Sequence, residues 1–292
     1  MVLLLEAMLY EKLDEKKVKC NVCNHYCIIK PGYRGICGVR ENIDGILYSL
    51  NYGKTVAMQI DPIEKKPIHY YLQNTWTYSL ATVGCNFHCL WCQNHDISQV
   101  SKDNKAIIGR NISPEEHVNL AIKNHCDSIS YTYSEPTIFI EYALEIMKLA
   151  KDKNLKNIWV SNGYMSNETL ELILPLVDAM NIDLKGFDDS SHKKFCGGSV
   201  KPILDNLKKI NDSNTHLEIT TLIVTDYNDN IDELTKIATF ISELNPNIPW
   251  HITRFFPAYK MLDKRPTNIE ILKKAEKIGK EMGIINIHIG NV

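Results

Sequence analysis

The key segment of this sequence is Gly-Cys-Asn-Phe-His-Cys-Leu-Trp-Cys at residues 84–92. An apolar run ends at Gly84, and the three cysteines follow it directly. Its C-x-x-x-C-x-x-C spacing places the thiols of Cys85, Cys89 and Cys92 in one loop, where they can surround one face of an iron–sulfur cube. A 4Fe-4S cluster takes four ligands, and cysteine thiolates are the usual ones. Since only three are supplied locally, one iron keeps an open coordination site. The loop therefore indicates chemistry at the cluster rather than plain electron storage.

A zinc site is the alternative interpretation of the same loop. Zinc sites usually combine a C-x-x-C pair with a second pair of ligands. No second cysteine pair follows Cys92 closely, although His88 and His95 are available as further ligands. The spacing therefore favours the iron–sulfur cluster.

The wider context of the loop resembles a known superfamily. The pattern C-x-x-x-C-x-aromatic-C, with Trp91 as the aromatic residue, is similar to the signature of the radical S-adenosylmethionine (SAM) enzymes. Residues 84–99 resemble the pyruvate formate-lyase activating enzyme relatives, and among them the radical SAM member of the AmmeMemoRadiSam system. The resemblance implies that the amino and carboxylate groups of SAM bind the fourth iron and that Trp91 packs near the adenine. An ordinary buried aromatic residue is the alternative for Trp91.

Length and charge restrict the class of protein. The 292 residues, 44% of them hydrophobic, suffice for a barrel-sized domain and a small extension. The net charge of -2 gives no overall attraction for nucleic acid or an anionic membrane. The apolar start at residues 2–5 stops at Glu6 without a basic leader, so we expect neither a signal peptide nor a membrane span. We therefore expect a cytoplasmic location.

A second group of cysteines lies near the amino terminus, at Cys20, Cys23, Cys27 and Cys37. Four thiols in so short a span predict a metal site, either structural zinc or an auxiliary iron–sulfur cluster. Reduced thiols without any metal are the third interpretation. Zinc and an auxiliary cluster both stay open, with about one zinc per chain as the expected content. The two remaining cysteines, Cys126 and Cys196, are expected to be small packing residues.

From residue 75 onward, short β-rich runs alternate with amphipathic helical runs, as in a parallel sheet with crossover helices. Capping boxes at Ser113–Glu116 and Thr267–Glu270 open two helices, and Gly283 ends the last one. With the resemblance, this predicts an α/β fold, a partial (β/α)6-type TIM-like barrel with a small amino-terminal cysteine-rich extension. The strand candidates are residues 77–83, 127–133, 156–161, 179–184, 216–224, 249–254 and 284–289.

The amino-terminal part is expected to form a separate domain. Asp44-Gly45 is a turn pair, and the alternation around it predicts one or two hairpins over residues 44–60. Residues 61–67 break regular structure and are expected to form a solvated connector that is also near enough to cover the site. The predicted domains are residues 1–74 and residues 75–292.

In a parallel sheet or barrel, functional groups gather at the carboxyl ends of the strands. Ser134 and Glu135 follow the second strand, where the superfamily has Gly-Gly-Glu. The resemblance implies that Glu135, with Ser134 beside it, binds the SAM ammonium. A helix N-cap is the alternative role.

The third and fourth strands end in further polar residues. Asn162, in Ser-Asn-Gly, resembles the Thr-Asn-Gly of the activating enzymes and suits a ribose hydroxyl, although Asn-Gly also favours a plain turn. Asp183 and Lys185 resemble the family's Asp-Leu-Lys and share one strand face. Lys185 is expected to pair with the SAM carboxylate, and Asp183 either to hold a monovalent cation or to position Lys185. Val160 replaces the acidic residue of the activating enzymes' cation site.

The sixth strand carries His251 and Arg254, whose odd spacing prevents both from facing the same side. We expect Arg254, nearer the carboxyl end, to contact a carboxylate of SAM or substrate. For His251, a place in the core is an equally open interpretation.

Two functions follow. In the first, the protein is a radical SAM oxidoreductase: the reduced cluster cleaves SAM to methionine and a 5'-deoxyadenosyl radical, which abstracts hydrogen from a protein or small-molecule substrate. It needs an external one-electron donor of the flavodoxin or ferredoxin type, and activation of a glycyl radical enzyme is the alternative within this class. In the second, both cysteine groups are structural zinc sites of an interaction module. The polar strand ends favour the enzyme.

Overall fold

The computed structural model describes residues 4–103 and 106–292. Its strands are β1 (Leu5–Glu6), β2 (Tyr10–Lys12), β3 (Val18–Cys20), β4 (Ile28–Ile29), β5 (Arg40–Ile43), β6 (Ile46–Ser49), β7 (Lys54–Pro62), β8 (Trp76–Thr82), β9 (Arg110–Asn111), β10 (Ser128–Tyr131), β11 (Lys156–Ser161), β12 (Ala179–Asp183), β13 (His216–Ile223), β14 (Trp250–Arg254) and β15 (Ile287–Gly290). Its α-helices are α1 (His95–Ser98), α2 (Val100–Asp103), α3 (Pro114–Lys123), α4 (Ile140–Asp152), α5 (Asn167–Ile173), α6 (Asp189–Phe195), α7 (Lys201–Asn211), α8 (Ile231–Leu244) and α9 (Ile269–Glu281). Short 3-10 helices lie at Asp14–Lys16, Ile63–Lys65 and Pro136–Phe139.

The main sheet has the strand order β15-β14-β13-β12-β11-β10-β8-β7-β9. Strands β8 and β10 to β15 are parallel, whereas β7 pairs antiparallel with both β8 and β9. From β10 to β15 each strand lies beside the next one along the chain, with helices in the connections, as short crossovers favour. The predicted α/β class with a partial TIM-like barrel is therefore confirmed.

Most of the parallel strands are buried on both faces, as expected where helices cover one side and the barrel interior the other. All four residues of β10 are buried, and four of the five in β12. Trp159 on β11 and Trp250 on β14 are among the largest fully buried side chains. In the described part of the chain, no helix combines the length and apolarity that a membrane span requires.

The helix signals of the sequence were mostly correct. Ser113 forms the predicted capping box with Glu116, and Gly283, with φ of +94°, follows the end of α9. The Thr267 box is wrong, because Asn268 is the residue that caps α9. Thr267 is fully buried, and its hydroxyl donates instead to the Ile223 carbonyl at 2.5 Å.

The amino-terminal part forms two small sheets, β1-β6-β5 and β2-β3-β4. Strands β5 and β6 form the predicted hairpin, whose turn residues Asp44 and Gly45 both have positive φ, at +52° and +90°. Such a turn matches the twist of the paired strands. Strand β7 lies within residues 1–74 and joins the main sheet, while the domain division at residue 74 stays a prediction.

Residues 61–67 are not a solvated connector. Asp61 lies in β7, one residue before its end at Pro62, and is 4% exposed, while Lys66 is 2% exposed. The Lys66 Nζ lies 2.5 Å from Asp61 Oδ2, so the ion pair makes burial of the lysine possible. This segment is therefore a fixed part of the fold.

Candidate active site

One cavity of about 400 Å³ opens where the parallel strands end. The loops after β8, β10, β11 and β12 contribute to its lining, because the carboxyl ends of parallel strands meet at one edge. It brings together most of the residues predicted from the sequence, namely Cys85, Cys89, Trp91, Cys92, Ser134, Glu135, Asn162, Asp183 and Lys185.

The three thiols of the cysteine loop face this cavity. Cys89 is buried, and Cys85 and Cys92 are half-buried. Burial raises the pKa of the Cys85 and Cys92 thiols. Hydrogen bonds act in the opposite direction: the Phe87 N–H donates to Cys85 Sγ at 3.3 Å, and the Ser98 hydroxyl lies 3.2 Å from Cys92 Sγ. Donors of this kind favour a thiolate, the form that binds iron.

Cys196, expected to be a small packing residue, contacts the cysteine loop directly. The neighbouring Cys196 thiol and burial raise the pKa of Cys89. The Cys196 carbonyl also accepts from the His88 N–H at 2.9 Å. The residue is fully buried, so it supports the cysteine loop from behind.

The histidines considered as further zinc ligands of the cysteine loop do not complete a metal-ion site in the described residues. Within residues 4–103 and 106–292, no three His, Cys, Asp or Glu side chains form a group that could hold a metal ion. In a cluster each thiolate binds its own iron, so the sulfurs do not need to converge on one point. The two histidines considered for zinc do not line the cavity, and His95 instead stacks on Tyr259 with ring centroids 4.8 Å apart.

Glu135 connects two strand ends. Its Oε1 accepts from the Thr137 N–H at 3.1 Å and from the Ser161 hydroxyl at 2.7 Å, and its Oε2 accepts from the Asn162 N–H at 2.9 Å. Burial raises the pKa of Glu135, although these hydrogen bonds lower it in part. The alternative role is thus present, since Glu135 caps the 3-10 helix that follows it.

Two hydroxyls of the cavity lining are buried without a hydrogen-bond partner in the described part of the protein. They are Ser134 Oγ and Thr220 Oγ1. Buried polar groups are normally hydrogen-bonded, so these two hydroxyls are exceptions at the edge of the cavity.

Asn162 contacts the cysteine loop directly. Its Nδ2 donates to Asn86 Oδ1 at 2.7 Å and lies 4.0 Å from Cys85 Sγ, while its Oδ1 accepts from the Tyr164 N–H at 2.9 Å. The side chain therefore fixes the loop after β11 against the loop that carries Cys85. Its predicted contact with a ribose stays a prediction.

Asp183 and Lys185 form an ion pair at the end of β12, with Lys185 Nζ 2.8 Å from Asp183 Oδ2. Burial alone would lower the pKa of Lys185, but the charges of Asp183 and Cys89 raise it, so the ammonium stays charged. This ion pair is what a positioning role for Asp183 requires and equally what a purely structural ion pair would give, so the roles of both residues toward SAM stay predictions. Val160 lines the cavity nearby, where the cation site of the activating enzymes has an acidic residue.

Arg254 does not line the cavity, which corrects the expectation from the sequence. Its Nε donates to the Thr267 carbonyl at 2.8 Å, and its guanidinium lies over the Phe256 ring. Thr253 lines the cavity instead, because neighbouring residues of a strand face opposite sides. His251, for which a place in the core was one interpretation, is buried and lies 2.5 Å from Glu218 Oε2.

Lys65, Lys66 and Tyr133 line the cavity. Residues 61–67 were expected to be near enough to cover the site, but none of these three was predicted as a site residue. Lys66 Nζ lies 3.3 Å from the Tyr133 hydroxyl and 4.3 Å from the centre of its ring. Tyr133 and both lysines hydrogen-bond to Asp61. Burial alone would raise the pKa of Asp61, but these hydrogen bonds lower it. The adjacent lysines within residues 61–67 were the available signal.

Comparison with known proteins identifies the family of this chain. A family model described as the radical SAM superfamily matches residues 79–241. The chain is 46% identical over 288 residues to "Uncharacterized protein MJ0808" of Methanocaldococcus jannaschii, covering 98% of this chain and 85% of that protein. It is 30% identical over 203 residues to the "Putative glycyl-radical enzyme activating enzyme MJ1632" of the same organism, covering 68% of this chain and 75% of the relative.

A solved structure shares the fold. It is SuiB of Streptococcus suis bound to S-adenosylmethionine, which is 12% identical and matches with a TM-score of 0.57 over 72% of this chain and 49% of that one. Sequence and fold thus lead to one assignment: the chain is an enzyme and belongs to the radical SAM superfamily.

Proposed function

We propose that the protein binds a 4Fe-4S cluster through Cys85, Cys89 and Cys92, cleaves SAM reductively and abstracts hydrogen from a substrate. The observation that carries the proposal is the convergence of these thiols with the Asp183–Lys185 pair on one cavity. When bound, the cluster would supply the electron that splits SAM into methionine and a 5'-deoxyadenosyl radical. An external donor of the flavodoxin or ferredoxin type would reduce it.

The residues around the cavity divide the binding of SAM among them. Lys185, held by Asp183, is placed to pair with the SAM carboxylate. Ser134 Oγ, which has no partner in the described residues, and Glu135 Oε2, which accepts one hydrogen bond, are acceptors for the ammonium. Trp91 offers an apolar surface for the adenine.

Trp91 and Asn162 differ in how freely they can contact the nucleoside. Trp91 is 3% exposed and packs on Tyr227 with ring centroids 4.7 Å apart, so its orientation is fixed. Both polar atoms of the Asn162 side chain already have partners, in Asn86 and Tyr164. A ribose hydroxyl would share the Asn162 Oδ1, since a carbonyl oxygen accepts two hydrogen bonds.

For the substrate, activation of a glycyl radical enzyme is the alternative to another protein or a small molecule. The printed names of MJ1632 and of the pyruvate formate-lyase-activating enzyme of Staphylococcus aureus support it; the latter is 24% identical over 180 residues. A zinc-binding interaction module is the weakest candidate, because it leaves the polar strand ends without a role. No nucleic acid or membrane partner is proposed.

Anaerobic reconstitution tests the proposal. We expect about four irons at Cys85, Cys89 and Cys92 beyond those of any other site, and methionine and 5'-deoxyadenosine on reduction with SAM. Replacing any one of the three by Ala should abolish cleavage, whereas Cys126→Ala, a matched buried cysteine elsewhere, should not. Protein that binds only zinc at this loop after anaerobic handling would refute the radical chemistry.

The substrate requires a separate experiment. Reduced enzyme and SAM would be incubated with a candidate glycyl radical protein, and electron paramagnetic resonance would detect a carbon-centred radical. A radical on the partner supports the activase. SAM cleavage without any protein radical, stimulated instead by a small-molecule extract, would contradict it.

A further inference from the structure

A second group of thiols lies apart from the main cavity. Cys20, Cys23, Cys27 and Cys37 line one small pocket of about 10 Å³. All four are free thiols; Cys27 is half-buried and the others are buried. The proposed SAM chemistry gives this group no role.

The backbone around these thiols repeats a feature of the Cys85 loop. Burial raises the pKa of the Cys20 and Cys23 thiols, and hydrogen bonds from the N–H groups of Val22 and His25, each two residues further along the chain, act in the opposite direction. Phe87 has the same relation to Cys85. Donors placed in this way stabilise a thiolate and not a neutral thiol.

The turn that carries Cys23 is fixed to the barrel. Cys23 forms a β-bridge with Met165, and Asn24 Nδ2 donates to the Met165 carbonyl at 2.6 Å. The Asn24 N–H donates to the Tyr164 carbonyl at 3.0 Å. The turn that carries Cys23 is therefore held against the barrel. Among the described residues the four thiols do not already form a group that could hold a metal ion, so metal binding requires their side chains to converge.

The most specific observation is a buried arginine in the pocket. Arg40 lines it, is 1% exposed and pairs through Nη2 with Glu141 Oε2 at 2.6 Å. Its Nε and Nη1 have no acceptor in the described residues. Five donors on a guanidinium normally find partners when buried. Thiolate sulfurs are acceptors for such donors, whereas neutral thiols are weak ones.

We propose that Cys20, Cys23, Cys27 and Cys37 bind a metal centre as four thiolates, with Arg40 as the positive group that donates hydrogen bonds to it. Binding one Zn²⁺ releases four thiol protons and leaves a centre of charge -2. A [4Fe-4S]²⁺ cluster with four thiolates also carries -2. Either centre supplies the acceptors that Arg40 lacks. The chemistry common to both is tetrathiolate binding of a metal, and metal analysis distinguishes them.

The test uses the full chain with Cys85, Cys89 and Cys92 replaced by Ala, so it does not depend on the proposed SAM chemistry. After anaerobic purification or reconstitution, we expect either about one zinc or about four irons with sulfide. Adding Cys27→Ala should remove that metal, whereas adding Cys126→Ala should leave it. Circular dichroism confirms that each variant is folded. Folded protein with neither metal, or metal retained after Cys27→Ala, overturns the proposal.

A titration with Co²⁺ keeps the test independent of the ligand variants. Metal-free, reduced triple-Ala protein should develop the visible bands of tetrahedral Co²⁺ with thiolate charge transfer. Arg40→Gln combined with Glu141→Gln, which avoids an unpaired buried charge, should weaken Co²⁺ binding about 10- to 100-fold relative to Glu141→Gln alone. Equal affinity in these two folded variants would overturn the role of Arg40. Absence of thiolate charge-transfer bands would overturn the site.

Discussion

Glu218, on the amino-terminal half of β13, gives the most quantitative prediction. Its carboxylate accepts from the backbone N–H groups of His69 and Tyr70 and from the rings of His216 and His251, at distances of 2.5 to 3.0 Å. The side chain is fully buried. These bonds hold the segment that directly follows the cavity residues 65–67.

The lowered pKa of Glu218 sets the size of its contribution to the free energy of unfolding. Burial alone would raise it, but the hydrogen bonds from His216, His251 and the His69 N–H lower it from 4.5 to about 2. At about 1.4 kcal/mol for each tenfold change, this corresponds to roughly 3 kcal/mol of stability at neutral pH. Since the folded-state pKa is lowered, the contribution is present above the unfolded-state pKa and is lost as the pH falls through about 2.

The experiment compares Glu218→Gln with the wild type. Guanidinium unfolding of the metal-free, reduced proteins at pH 7 should show a free energy of unfolding lower by about 3 kcal/mol in the variant. The difference should shrink as the pH falls below the ordinary glutamate pKa of 4.5. Glu243→Gln, at an exposed position on α8, is the control and should change the stability by less than about 0.5 kcal/mol.

Two results would refute this reasoning. One is a Glu218→Gln variant as stable as the wild type at pH 7, which would mean that the carboxylate is not needed as an acceptor. The other is a difference in stability that grows toward low pH, which would mean that the pKa is raised. Because Glu218 does not line the cavity, SAM cleavage per folded, reconstituted enzyme should not change.

Three further predictions concern the cavity and one helix. Lys185→Met should weaken SAM binding about 10- to 100-fold, because a charge-assisted contact contributes ~1.5–3 kcal/mol. Equilibrium dialysis would compare it with the control Lys277→Met, at an exposed position, which should bind SAM like the wild type; equal affinities of the two variants would contradict the role of Lys185. Lys66→Met should lower the melting temperature of the metal-free protein at neutral pH, because it leaves the buried Asp61 with only the exposed Lys65 as a cationic partner. An unchanged melting temperature would refute the stabilising role of the Lys66–Asp61 pair. Ser113→Ala should cost about 1 kcal/mol by removing the cap of α3, as urea unfolding would show, and Ser113→Asp should retain most of it.

The sequence predicted the frame well where local chemistry decides the outcome. Short runs rich in strand-forming residues marked the parallel strands, because side chains that suit a pleated, buried surface recur along each strand. Asp44-Gly45 indicated its hairpin for an equally local reason, since both residues accept a positive φ. The Thr267 box failed because the Thr267 hydroxyl is used in a tertiary hydrogen bond that local patterns do not reveal.

The site shows the same division. The cysteine spacing and the polar strand ends identified nine residues of the cavity lining, since the carboxyl ends of parallel strands meet. Arg254 was wrongly predicted to face the cavity because it lies nearest the carboxyl end of its strand. Neighbouring residues of a strand face opposite sides, and here Thr253 faces the cavity. Lys66 was missed because a lysine becomes buried only when a carboxylate such as Asp61 approaches it.

The sequence by itself determined the residues with chemical specificity, which are the cysteine loop at residues 84–92, the Asp183–Lys185 pair and the amino-terminal thiols. It could do so because spacing along one short segment or strand fixes which side chains lie together. The tertiary structure decided what surrounds them: Lys66 in the cavity wall against Tyr133, Cys196 behind Cys89, and Arg40 beside the second group of thiols and paired with Glu141. The contacts of Lys66 with Tyr133, of Cys196 with Cys89 and of Arg40 with Glu141 join residues far apart in the chain, and only the packing of the folded protein selects them.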